Sequence, residues 1–223
     1  SKKIDCNIHG KHDKTVPEAG ELSVEIIKAI ILKMINPSQF AQSATSKETE
    51  KSPELPVRPP VLCAGCPHRG SFYAVKQAMK GQKTAYCGDI GCYTLGNAMP
   101  LDMTDTCLCM GADITMAQGF YHNEPDTHCF SFIGDSTFFA SGITGVVNAV
   151  YNQAKQTVCI LDNSTTAMTG HQPHPGTGVT MMGEIVEKVS IPKILEAVGV
   201  KPIIEVDPFD QEKAVAAVKE ADA

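Results

Sequence analysis

The sequence predicts an α/β fold, a doubly wound, mostly parallel sheet, and three observations carry that prediction. Short apolar runs alternate with helical patterns along the second half of the chain. The runs His128–Ile133 and Thr157–Leu161 flank a helical pattern over Phe138–Gln153, the length that a parallel crossover needs. Each run ends in a polar turn, Gly134-Asp135-Ser136 after the first and Asp162-Asn163 after the second. In open α/β sheets, ligands bind beyond such carboxyl-terminal strand ends.

The other elements follow in chain order. Residues 1–57 read as the tail of an upstream module, a helix and a flexible linker. Cys6, His9 and His12 lie in a polar stretch with no fourth metal partner nearby and read as a solvated tail. Residues 21–36 carry an apolar stripe at helical spacing (Leu22, Ile26, Ile27, Ile30, Ile31, Met34, Ile35), closed by Pro37, and a helix this apolar is expected to dock on something. Residues 38–60 lose that periodicity and gain prolines, the composition of a linker.

The domain proper, 58–223, begins near Arg58. A short helix over Phe72–Lys80 closes at Gly81. Strands follow at Thr84–Cys87 and Asp105–Cys109, the second with Cys107 and Cys109 on one face and expected in the core. A helix begins at Met110-Gly111-Ala112-Asp113 and runs to Tyr121, with Met116 and Phe120 facing inward. Beyond the central unit come a helix over Ile191–Val198, a strand over Lys201–Val206 and a helix over Asp210–Ala221, for about five strands in all.

Composition narrows the function. The chain has 223 residues with 43% hydrophobic and 20% charged residues, ordinary for a globular domain plus an appendage. A net charge of −6 argues against a nucleic-acid partner. No apolar run reaches membrane-spanning length and no signal peptide opens the chain. Nine cysteines, an odd number without the spacing of a secreted scaffold, point to a reducing, cytoplasmic setting and to some thiols as ligands. A start at Ser1 suggests a fragment of a longer protein.

Four stretches carry chemistry. Asp135 and Asn163 fall at the ends of neighbouring parallel strands, one carboxylate and one amide oxygen side by side, a hard-oxygen pair suited to Mg²⁺ with phosphate. Gly134 lets backbone and phosphate approach, and the helix beginning after Thr137 aims N–H groups at the same spot. The predicted ligand is a diphosphate carried on Mg²⁺; the plain alternative is a turn and a loop. Cys63-x-x-Cys66 is a chelating spacing, open to a metal, a redox pair or a buried pair, with His68 in the same turn as a zinc ligand or, the favoured reading, a helix N-terminal residue. Gly88-Asp89-Ile90-Gly91-Cys92-Tyr93 makes a ligand-facing loop, and Gly111 permits close approach at the next helix start. The loop after Asn163, polar and Gly/Pro-rich, holds a His171-x-x-His174 pair open to metal, substrate carboxylate or solvent.

Gly134-Asp135 followed by Asp162-Asn163 resembles the diphosphate-binding signature of thiamine diphosphate enzymes, with Ser136 in place of the third Gly and Asp162 in place of the first Asn. The stretches GDIGCYTLG, DTCLCMGADI, GDSTFFASGITG and LDNSTTAMTGHQPHPGTG resemble the 2-oxoacid:ferredoxin oxidoreductases, within them the large (alpha) subunits of the indolepyruvate type, from Arg58 to Asp210.

The resemblance implies a thiamine diphosphate-binding (PP-type) domain with an N-terminal helical and linker extension. It implies Mg²⁺ on Asp135, Asn163 and the Thr165 carbonyl. The coenzyme would lie against Gly91, Cys92, Tyr93, Gly111, Gly134, Ser136 and Thr137, and along Ala167, Met168 and Thr169. It implies Cys63, Cys66 and Cys92 as ligands of a 4Fe–4S cluster whose fourth ligand would lie beyond Ala223.

The implied activity is oxidative decarboxylation of a 2-oxoacid, an arylpyruvate such as indolepyruvate, to acyl-CoA and CO₂, with electrons passed to ferredoxin. Implied partners are a pyrimidine-side thiamine domain, a gamma-type small subunit, ferredoxin and coenzyme A, in an oligomer. The isolated chain is then expected to turn over poorly, with no catalytic residue of its own. Competing readings are a non-redox thiamine-dependent 2-oxoacid decarboxylase and a non-enzymatic metal-binding module with zinc on Cys63 and Cys66.

Overall fold

In the computed structural model, which describes residues 8–35 and 55–223, four apolar runs become parallel strands: β1 Thr84–Gly88, β2 Thr106–Cys107, β3 His128–Gly134 and β4 Thr157–Leu161. They form one sheet in the order β2-β1-β3-β4. Pairing is in register from Thr84 opposite His128 to Gly88 opposite Phe132, and from Phe130 opposite Thr157 to Gly134 opposite Leu161. Strand β3 is buried along nearly its whole length, which is why it reads as a continuous apolar run rather than an alternating one.

Helices cover both faces. Phe130 and Phe132 of β3 point into a core with Phe72, Val75 and Met79 from the segment holding helix α2 (Pro67–Ala78), with Tyr93 and Met103 beside them. Helix α6 (Gln211–Asp222) packs on α2, and His128 Nδ1 bonds Asp222 Oδ2 at 2.5 Å. On the opposite face Ile133 packs with Ile114 of helix α3 (Ala112–Asn123), Val146 of helix α4 (Ile143–Tyr151) and Leu195 of helix α5 (Ile191–Val198). The chain runs from β1 to β2 over the first face and returns through α3 and α4 over the second, which is the doubly wound pattern.

Several expectations need correction. Strand β2 keeps only two residues, because the chain turns at Cys109, whose carbonyl accepts the Ala112 N–H. Cys107 and Cys109 are therefore exposed at the sheet edge rather than in the core. Residues 201–206 run without ladder pairing, so the sheet has four strands among the described residues; Pro202 has no N–H to donate to a neighbour. Helix α2 starts at Pro67, earlier than expected, with proline at the one helical position that tolerates a missing N–H. The helix after β3 begins at Asp135 and widens into a π-helical turn over Phe138–Gly142 before α4. Met116 and Phe120 are half-buried, against the Ala85, Cys87, Ala117 and Cys129 cluster.

The chain divides into two compact units, Ser1–Val57 and Arg58–Ala223. In the first, helix α1 spans Val24–Ile35 and none of its residues is buried, so the docking expected of its apolar stripe is not seen among the described residues. His9 is bonded to Asp13 at 2.7 Å. Cys6 and most of the expected linker lie outside the described residues. Among the described residues no helix is long and apolar enough to cross a membrane.

Candidate functional site

Strand order reverses between β1 and β3: the chain moves outward from β1 on one side and continues to β4 on the other. That reversal opens a crevice beyond the carboxyl ends of the two strands, the usual ligand position in such sheets. Asp89 follows β1 and Asp135 follows β3, so a carboxylate stands on each lip. Asp162 follows β4, beside Asp135.

Asp135 is 3% exposed, and its Oδ1 accepts the Ser136 N–H at 2.8 Å. Its Oδ2 is buried and accepts no hydrogen bond. Burial raises the Asp135 carboxyl above the usual carboxylate range, and the facing Asp162 carboxylate raises it further. Two carboxylates thus converge with one buried oxygen left without a hydrogen bond, a ligand arrangement that fits a divalent cation. Asn163 is less free than its spacing suggested, because its Oδ1 accepts the Thr165 N–H at 3.2 Å in a local turn. Asp162 Oδ1 accepts the Ser164 N–H at 2.8 Å.

The glycines make room for side chains of the chain itself. A Cβ on Gly91 or on Gly134 would lie 2.5 Å from the Tyr93 ring, so that ring fills the space that Gly134 was expected to leave for a phosphate. Tyr93 donates from its hydroxyl to Asp89 Oδ2 at 2.7 Å and lies 3.2 Å from Thr137 Oγ1. Burial, and then Asp89, push its phenol pKa up. Gly111 sits at φ +83°, where a side chain is strained, and a Cβ there would meet Ser141 Oγ at 2.5 Å.

The loop after β4 folds back over this end. Thr166 Oγ1 donates to Ser136 Oγ at 2.8 Å, joining the loop to the turn after Asp135. Ala167 is half-buried, while Met168 and Thr169 are exposed. The two histidines part company. His171 is exposed, whereas His174 is buried with Nε2 3.1 Å from Asp135 Oδ2, off the line of a hydrogen bond. His174 Nδ1 accepts the Gly176 N–H at 3.2 Å, which leaves the proton of a neutral ring on Nε2, facing the carboxylate.

Cys63 is exposed, and Cys66 and Cys92 are half-buried beside the first-face core. Burial raises the Cys92 thiol pKa, with added contributions from Cys66 and then Cys63, so the three share one neighbourhood. Yet among the described residues no three His, Cys, Asp or Glu side chains gather in metal-binding array. His68 is buried in the first turn of α2, edge-on to Tyr93 with ring centroids 5.7 Å apart, and burial lowers its pKa.

Sequence reasoning singled out neither Asp89 nor Asp113 as a functional carboxylate. Both are wholly buried. Asp89 Oδ1 accepts the Gly111 N–H at 2.8 Å, and both oxygens of Asp113 lack partners. Burial, and then Asp89, push the Asp113 carboxyl up to about 7. The signal available was an Asp inside the Gly-rich loop after a strand; nothing local marked Asp113, whose burial comes from β3 and α3 closing over it.

The sequence pattern of the family described as "Thiamine pyrophosphate enzyme, C-terminal TPP binding domain" matches residues 89–222. The chain is 40% identical over 226 residues to "Indolepyruvate oxidoreductase subunit IorA" of Methanothermobacter marburgensis, covering 99% of this chain and 35% of that protein. It is 40% identical over 219 residues to the protein of the same name in Archaeoglobus fulgidus, covering 97% of this chain and 35% of that one. The chain thus spans about a third of the length of these relatives. A solved structure, "2-oxoglutarate:ferredoxin oxidoreductase from Magnetococcus marinus with 2-oxoglutarate, coenzyme A and succinyl-CoA bound", superposes with a TM-score of 0.64 at 19% identity, covering 74% of this chain and 60% of that one. That likeness agrees with the parallel sheet described above. With more than half of its residues inside the matched pattern, the chain belongs to the thiamine pyrophosphate enzyme family, as its C-terminal TPP-binding domain.

Proposed function

We propose that this chain holds the diphosphate of thiamine diphosphate through Mg²⁺ and is the coenzyme-binding part of a 2-oxoacid:ferredoxin oxidoreductase acting on an arylpyruvate, indolepyruvate by the names of its relatives. The observation that carries the reading is Asp135: a buried carboxylate beyond β3, one oxygen without a partner, faced by a second carboxylate, inside the matched domain. Asp135, Asp162, Asn163 and the Thr165 carbonyl would hold the cation. The coenzyme, when bound, supplies the electron sink for loss of CO₂ from a 2-oxoacid.

The chain's own residues bind and orient. The turn Gly134–Thr137 offers backbone N–H groups and the Ser136 and Thr137 hydroxyls to phosphate. Gly91, Cys92, Tyr93 and Gly111 wall the crevice, and Ala167, Met168 and Thr169 border it from the loop after β4. The carboxylate that activates the aminopyrimidine would come from a pyrimidine-side domain outside this chain. A gamma-type small subunit, ferredoxin and coenzyme A complete the assembly, an oligomer of the cytoplasm; the eight described cysteines, all free thiols, agree with a reducing compartment.

Cys63, Cys66 and Cys92 supply donors of the right chemistry for three corners of a 4Fe–4S cluster. Among the described residues their spacing does not close on a metal and no fourth thiol joins them, so they fit only in part and no electron step is assigned to them.

Calorimetry with thiamine diphosphate and Mg²⁺ tests the reading. Binding that disappears in Asp135→Ala upholds it, and no binding to the intact chain overturns it. Iron content, and viologen reduction by the complete complex, separate an oxidoreductase from a non-redox decarboxylase.

A further inference from the structure

We infer that Asp89 is a positioning residue that ties the three loops of the crevice to one another. The inference rests on the coenzyme-site reading for its meaning, although the geometry stands independently.

Each loop reaches Asp89 by a named bond. The loop after β1 is held by Thr94 Oγ1 donating to the Asp89 carbonyl at 2.7 Å. The head of α3 is held by the Gly111 N–H on Asp89 Oδ1 at 2.8 Å. The turn after β3 is reached through Tyr93, whose hydroxyl donates to Asp89 Oδ2 at 2.7 Å and touches Thr137 Oγ1 at 3.2 Å. The Tyr93 ring is fixed in turn by the missing Cβ atoms of Gly91 and Gly134. Asp89 is wholly buried, so water cannot replace a donor it loses. Each of its side-chain oxygens therefore serves one contact, Oδ1 the head of α3 and Oδ2 the Tyr93 hydroxyl, while its backbone carbonyl holds Thr94, so all three loops meet at one residue.

Asp113 completes the device without joining it. It is also wholly buried, it makes no hydrogen bond, and its carboxyl is pushed up to about 7 by burial and then by Asp89. Asp113 is thus the acid that takes up a proton as pH falls below about 7, while Asp89 keeps the two donors. That asymmetry separates the two aspartates experimentally, because an amide mimics a protonated acid at one position and misplaces a donor at the other.

The test uses the full chain in two measurements: hydrogen–deuterium exchange without ligand, and calorimetric titration with thiamine diphosphate and Mg²⁺. Asp89→Asn should loosen 91–97, 111–115 and 134–138 together and weaken coenzyme binding by about tenfold or more. Asp113→Asn should loosen none of the three segments and should leave coenzyme binding near wild type. Tyr93→Phe should loosen 134–138 but spare 111–115, since the Gly111 bond uses the other oxygen; this variant carries the test if Asp89→Asn does not fold. Loosening confined to 88–97 in Asp89→Asn, equal loosening in Asp113→Asn, or joint loosening of all three segments in Tyr93→Phe would overturn the inference. A wild-type chain that binds no coenzyme would instead sink the coenzyme reading, while the exchange pattern still decides the role of Asp89.

Discussion

Two pairs of carboxylates sit at the same end of one sheet, and they solve the same electrostatic problem differently. Asp89 and Asp113 are wholly buried behind β1. There one acid takes up a proton while the other collects donors from Gly111 and Tyr93. Asp135 and Asp162 stand beyond β3 and β4, with Asp135 buried and Asp162 exposed. Asp135 keeps an oxygen without a donor, facing a second carboxylate and the His174 ring. The first pair meets its burial from within the fold, by a raised pKa on Asp113 and two donors on Asp89; the second keeps an oxygen without a hydrogen bond, the opening that the proposed cation would fill. Like charges that are left facing one another at a pocket mouth are stabilised by a cation from outside.

The largest expected effect breaks the comparison on its structural side. The Asp113 carboxyl rises from 3.8 to about 7 on folding. The folded chain therefore binds one more proton than the unfolded chain between those values, and this contribution to stability is full below pH ~4 and falls as pH rises through ~7. That rise in the carboxyl pKa is worth about 4 kcal/mol. Asp113→Asn removes that slope, so the variant should match wild type near pH 4 and exceed it above pH 8 by up to about 4 kcal/mol. Urea denaturation at the two pH values checks this, and parallel curves would mean that Asp113 is ionised in the native state.

Asp135→Asn comes next and works on the functional side. It removes a buried charge whose Oδ2 lacks a hydrogen bond and faces Asp162, with the His174 ring 3.1 Å away as a partial counterweight, so the ligand-free chain should melt higher than wild type. Coenzyme binding with Mg²⁺ should fall at least about 100-fold, about 2.7 kcal/mol. Thermal melts with and without the coenzyme and Mg²⁺ read both effects. If the variant binds as well as wild type, the cation is held elsewhere.

The sequence marked Asp135, paired with Asn163 rather than with Asp162, as a cation site and left the Asp89–Asp113 pair nearly invisible, for a physical reason. Asp135 and Asp162 are set by strand ends, and strand ends are marked locally by apolar runs and polar turns. The register then follows, which is why Gly134 opposite Leu161 puts Asp135 beside Asp162. Asp113 is defined by what closes over it, and no local pattern reports tertiary closure. The same limit explains the other misses. The spacing of His171 and His174 showed a pair but not that one ring turns inward. The glycines showed where bulk is forbidden but not that Tyr93 and Ser141 forbid it. Residues 201–206 have a strand's composition, but ladder pairing also needs a neighbour, and Pro202 lacks a donor.

A smaller effect tests the link between the two regions. Tyr93 is the residue that touches both, through Asp89 on one side and Thr137 on the other. Tyr93→Phe keeps the ring against Gly91 and Gly134 and removes only the hydroxyl. The loss of a buried bond to a carboxylate acceptor should cost about 2 kcal/mol in urea denaturation. A cost below about 0.5 kcal/mol would show that Asp89 finds another donor.

The smallest expected effects separate a glycine the fold requires from one it merely tolerates, within one helix. Gly111 caps α3 at φ +83° with Ser141 Oγ 2.5 Å from where a Cβ would stand. Gly119 lies inside the same helix, with nothing within 4 Å. Gly119→Ala should stabilise by up to about 1 kcal/mol, because alanine favours the helix and narrows the unfolded ensemble. Gly111→Ala should destabilise by about 1–3 kcal/mol, part from the left-handed backbone and part from the clash. Adding Ser141→Ala to Gly111→Ala removes the hydroxyl but not the backbone strain, so the double variant should recover only part of the loss. Full recovery would mean that α3 shifts freely at its head, and Asp89 could not then hold that head in place through the Gly111 N–H.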